Sequence, residues 1–71
     1  DNMYYRLKFE ISKRGFTIEK FSLLLNISEK SLRNKIKGST EFSWSEVLRI
    51  RDLIDPTMSL EELFKKEDKI A

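Results

Sequence analysis

One short pattern occurs four times along the chain: an apolar residue, a hydroxyl residue, three residues that suit a helix, and a second apolar residue. The flanks and hydroxyls are Phe16, Thr17 and Phe21; Ile27, Ser28 and Leu32; Phe42, Ser43 and Val47; and Met58, Ser59 and Leu63. A Ser or Thr so placed accepts one of the orphan N–H groups at a helix start, and the apolar pair closes over it as a hydrophobic staple. Glu46 and Glu62, at the third helical position, predict a capping box at two of the four. A further helix comes first, because Tyr4, Leu7, Phe9 and Ile11 recur near helical spacing and Gly15 follows as a stop. The pattern predicts five helices, at 4–13, 18–25, 29–36, 44–54 and 60–66. Gly38 closes the third in the left-handed conformation that Gly tolerates, and Pro56 follows the fourth. The charged stretch from Lys65 is expected to fray, with 67–71 as a loose tail.

Composition narrows the class. Seventy-one residues make one small domain, 1–71. Two Gly and one Pro are too few for a many-turned β fold, and 39% hydrophobic residues are too many for a disordered chain. The expected class is all-α. With no Cys and no His, disulfides, zinc sites, histidine bases and cysteine nucleophiles are excluded. Gly15 and Gly38 alone cannot build a phosphate loop, and the Glu61–Glu62 pair reads as helix N-terminal charge. No catalytic residue, metal or cofactor is expected, and the chain is not expected to be an enzyme. The longest uncharged apolar run, Leu23–Leu25, is far short of a membrane span, so the expectation is a cytoplasmic protein without a membrane partner. Asp1 and Asn2 precede Met3 and are expected to be expression remnants, with Met3 the natural start.

Charge is unevenly spread. Residues 1–40 carry nine basic and four acidic side chains, a balance of +5; residues 41–71 carry five and eight, a balance of −3. The N-terminal half therefore suits a polyanion better. Within it, the second and third helices are separated by only Asn26, Ile27 and Ser28, a helix-turn-helix spacing at about 18–36. Ser22 is small enough for a close helix crossing, Asn26 accepts positive φ, and Leu32 and Ile36 form the inward stripe of the third helix. Glu29, Lys30, Arg33, Asn34 and Lys37 are left for its outer face. Arg and Lys can read guanine edges and Asn can read adenine, but a solvated surface helix is charged as well. The residues alone leave both readings open.

The run FTIEKFSLLLNISEKSLRNKIKG resembles the lambda-repressor-like (Xre/Cro) helix-turn-helix family, and SLRNKIKGSTEFSWSEVLRI resembles small phage and prophage regulators with an SLSNKINGKSEFTLEE-type segment. The resemblance implies a five-helix DNA-binding domain that regulates transcription in the manner of a Cro-like repressor. It implies double-stranded DNA as partner, a homodimer on two half-sites, and no small-molecule ligand. It places Ser28, Glu29, Lys30 and Asn34 toward the major groove, with Arg33 on a base or phosphate. It places Thr17 and Lys20 at one phosphate, and Lys37, Ser39 and Thr40 at another. Ile18 departs from the family's usual Gln, Ser22 from Ala, and Asn26 from Gly. Trp44 is expected as a partly buried anchor, with a place beside the DNA backbone as the alternative. One of Tyr4 and Tyr5 is expected to face inward. Leu60, Leu63, Phe64 and Ile70 are expected either to complete the core or to supply a dimer surface. The competing class is a helical protein-interaction module, such as an antitoxin or anti-repressor.

Overall fold

A computed structural model describes residues 2–68. Five helices follow in order: α1 (Tyr5–Lys13), α2 (Ile18–Leu25), α3 (Glu29–Ile36), α4 (Trp44–Ile54) and α5 (Leu60–Leu63). The fold is all-α. Each hydroxyl cap forms: Thr17, Ser28, Ser43 and Ser59 accept the N–H of Lys20, Ser31, Glu46 and Glu62. The staple at α2 brings the Phe16 and Phe21 rings to 5.3 Å in an edge-on pair.

Three helices end in one arrangement. Gly15, Asn26 and Gly38 all adopt positive φ, at 82°, 59° and 84°. The next residue then donates back into the helix, Phe16 to Ile11, Ile27 to Ser22 and Ser39 to Asn34. These are Schellman closures, which need a left-handed residue just past the helix. Asn26 fills that place because its short polar side chain is the least strained choice after Gly.

The core is built from pairs one helical turn apart. Leu7 and Ile11, Phe21 and Leu25, Leu32 and Ile36, and Ile50 and Ile54 are buried, and Leu63 of α5 joins them. Spacing of four residues puts each pair on one helix face, so four helices offer four stripes to one centre. Ser22 is buried between α2 and its neighbours, and its hydroxyl is satisfied by donating to the Glu19 carbonyl at 2.6 Å.

Several expectations need correction. Helix α5 stops at Leu63 rather than 66. Phe64 leaves helical geometry (φ −105°, ψ 25°) and packs edge-on against Phe42, at 5.5 Å, and Tyr4, at 5.9 Å. The gain from that three-ring cluster, which Tyr4 and Phe42 close at 5.4 Å, outweighs two or three more helical residues in a charged sequence. Leu63 and Phe64 thus complete the core; Ile70 lies outside the described residues. The expected loose tail begins instead with a two-residue strand, β2 (Glu67–Asp68). It pairs antiparallel with β1 (Asn2–Met3), setting Met3 opposite Glu67. Residues 69–71 of that tail, like Asp1, lie outside the described residues. Phe9 is exposed on the outer side of α1, and Trp44 is 67% exposed. Trp44 is the first residue of α4 and points away from the stripe that Ile50 and Ile54 bury. The capping box forms at Ser43–Glu46, but Glu62 turns its carboxylate to Arg6, 3.0 Å away.

Candidate nucleic-acid interface

Helix α3 presents two unlike sides. Leu32 and Ile36 enter the core. The other side carries Glu29, Lys30, Arg33 and Asn34, and the remaining residues singled out from the sequence lie on α2 or in the segments flanking α3. Thr17, Lys20, Ser28, Lys30, Arg33, Lys37, Ser39 and Thr40 are exposed, and Glu29 and Asn34 are half-buried. Lys30, Arg33, Asn34 and Lys37 share one open cleft of about 490 Å³. Its other lining residues are Lys8 of α1 and an apolar floor of Met3, Ile18 and Ile36. Among the described residues, no carboxylate lines it.

The cleft exists because α1 is tied to the end of α3. The Tyr4 N–H donates to the Ile36 carbonyl at 3.0 Å, satisfying an acceptor that the end of a helix leaves orphaned. Met3 and Lys8, on either side of Tyr4, are thereby fixed beside α3. Ile18, the first residue of α2, closes the floor, whereas Thr17 and Lys20, its near neighbours in the chain, are not among the residues that line the cleft. Ile18 cannot brace a polar side chain as a Gln would, but it gives the cleft an apolar surface.

Polar partners limit what each candidate can do. Glu29 accepts from the Arg33 guanidinium at 2.6 and 3.0 Å, and both side chains are substantially exposed, at 41% and 57%. An exposed pair one turn apart contributes only about 0.3–0.5 kcal/mol, so Arg33 is readily released. Ser28 and Thr17 use one oxygen lone pair as caps and keep their O–H donors. The N–H groups of Ser39 and Thr40 both point to the Asn34 carbonyl, and both residues are exposed. Lys35 is not available. It bridges α3 to α4, placing Nζ 2.7 and 2.6 Å from the Glu46 carboxylate oxygens. Burial works against the Glu46 charge, but the hydrogen bonds from Lys35 and the Ser43 N–H outweigh it and hold the carboxyl below its ordinary value.

Sequence reasoning missed Lys8 and Met3. Lys8 sits next to the buried Leu7, on the edge of the α1 stripe, and nothing local indicates which helix that edge meets. No family model, curated protein or solved structure matches this chain.

Proposed function

We propose that this protein binds double-stranded DNA through α3 and regulates transcription, in the manner of a small Cro-like repressor. The observation that carries the reading is the cleft along α3, where Lys30, Arg33, Asn34 and Lys37 lie together with no carboxylate of the described residues in the lining. The N-terminal residues of a recognition helix read base edges, and flanking polar groups hold the backbone. Lys30, Arg33 and Asn34 have the chemistry to read, while Thr17, Lys20, Lys37, Ser39 and Thr40 have the chemistry to hold phosphates. The Glu29 pair does not oppose this. A bidentate Arg–guanine contact is worth about 1–3 kcal/mol, more than the exposed pair it replaces. One small module gives limited affinity, so the reading includes a homodimer spanning two half-sites about one helical turn apart.

A second reading, a protein-interaction module, is favoured by one observation: Leu23, Leu24 and Trp44 are exposed. The two separate cleanly. Fluorescence anisotropy on a mixed-sequence duplex across a salt series is expected to show affinity that falls steeply with salt, and weaker binding in Arg33→Ala and Lys37→Ala. No binding at low salt sinks the DNA reading and turns the search to proteins. Where the duplex binds, Asn34→Ala is expected to relax preference at one base position rather than to lower affinity on every sequence.

A further inference from the structure

The most distinctive member of the cleft lies outside the α2–turn–α3 unit. Lys8 reaches it from α1. Lys30 on α3 and Lys37, which caps its C-terminus, are seven residues apart, two turns or about 10.5 Å along the axis, with Asn34 between them. Among the described residues, none of these three lysines has a carboxylate within ion-pair distance, whereas Lys35 and Lys65 do. Like charges gathered without a counter-charge repel one another, and an anion relieves that repulsion. The floor of Met3, Ile18 and Ile36 is apolar. A bare ion gains nothing from such a floor, but the carbon face of a sugar does.

We infer that the cleft is a seat for a sugar-phosphate unit, with its phosphate held by Lys8 together with Lys37, and its sugar packed on Ile18 and Met3. The cleft and its chemistry are independent of the DNA reading; the source of the phosphate rests on it. On that reading the unit belongs to the backbone strand bordering the groove that α3 enters, and α1 becomes part of the DNA-binding surface. The other source is a free phosphorylated small molecule. The Tyr4–Ile36 hydrogen bond and the β1–β2 pairing hold the seat together, because both fix the segment that carries Met3.

The test compares Lys8→Ala with Lys13→Ala. Both remove one charge from an exposed position of α1, but Lys13 does not line the cleft. In duplex binding over a salt series, Lys8→Ala is expected to weaken affinity about three- to tenfold and to lower the salt slope by about 0.9, the loss of one neutralised phosphate. Lys13→Ala is expected to leave the slope unchanged. In a second arm, tripolyphosphate is titrated into the labelled protein while backbone amide shifts are followed. Shifts at Lys8 and Lys37 that disappear in Lys8→Ala support the seat even where the duplex fails to bind, and then assign it to free phosphates. Duplex binding that Lys8→Ala and Lys13→Ala change alike, with no tripolyphosphate shifts in the cleft, overturns the seat and leaves the DNA reading standing. No response in either arm overturns both.

Discussion

Helices α1 and α3 each carry an arginine and a glutamate one turn apart, and the two pairs differ in nearly everything else. Glu29 and Arg33 lie on the surface of α3. Glu10 of α1 is 2% exposed. It accepts from Arg6 at 2.7 Å on one oxygen and from Arg14 on the other. Arg14 reaches further, donating from Nε to the Ile54 carbonyl at 2.7 Å and so closing the C-terminus of α4. Arg6 meanwhile reaches Glu62 of α5. One spacing thus yields a loose pair beside the candidate interface and a brace joining three helices on another part of the molecule. Burial makes the difference. A carboxylate taken out of water must be fully partnered, whereas an exposed one can change partners at little cost. The loose pair stands where a ligand can displace it, and the brace where nothing is expected to move.

Removing each carboxylate in turn tests that contrast, and the Lys35–Glu46 pair, whose side chains are both 16% exposed, supplies the middle case. Glu10→Ala is expected to have the largest effect, lowering stability by about 2–3 kcal/mol. That is somewhat below the usual cost of a broken buried pair, because both arginines keep a path to water. In a domain of this size the midpoint of thermal unfolding should fall by more than about 8 °C. The same residue governs acid stability. The hydrogen bond from Arg14, outweighing the cost of burial, and then that from Arg6, hold the Glu10 carboxyl below its ordinary value of 4.5. Its contribution is therefore complete above about pH 4.5 and is lost as pH falls through the lower folded value. Urea melts between pH 3 and pH 6 should show a steeper acid loss in the parent than in Glu10→Gln.

Glu46→Ala is expected to cost about 1–2 kcal/mol in the same melts, since it removes half of a capping box and a partly buried pair. Glu29→Ala should change stability by less than about 0.5 kcal/mol. On the proposed function it should tighten duplex binding severalfold in the anisotropy assay, because Arg33 is freed. A stability loss at Glu29 as large as that at Glu10 would show that spacing, not burial, sets the strength of these pairs. The smallest effect is expected at Trp44. Trp44→Ala should stay within about 0.5 kcal/mol of the parent, and the intact tryptophan should emit at long wavelength and be quenched readily by iodide. A blue-shifted, protected emission would show it covered in solution.

The parts that were legible in advance share a cause. The helix starts at Thr17, Ser28, Ser43 and Ser59, the left-handed Asn26, the small buried Ser22 and the inward pair Leu32 and Ile36 all depend on residues a few positions apart. The outer face of α3 was legible for the same reason, since it is what remains once the inward stripe is assigned. The misreadings involve distant partners. Phe64 left its helix for rings at Tyr4 and Phe42, Glu62 left its capping box for Arg6, and Trp44 stayed exposed on the side of α4 away from Ile50 and Ile54.

By itself, then, the chain's local pattern determined an all-α fold, the order and ends of most of its helices, and which residues of α3 face outward. Caps, staples and left-handed closures act over three to five residues, so most of what forms them is written in the local sequence. Tertiary structure alone decided that Lys8 and Met3 complete a cleft with α3, and that Glu10 is a buried brace rather than a surface charge. It also decided that β1 and β2 tie the two ends of the described chain together. Those outcomes turn on which helix faces meet, and a charged residue beside a buried stripe becomes a brace, a cleft wall or a solvated surface according to what packs against it.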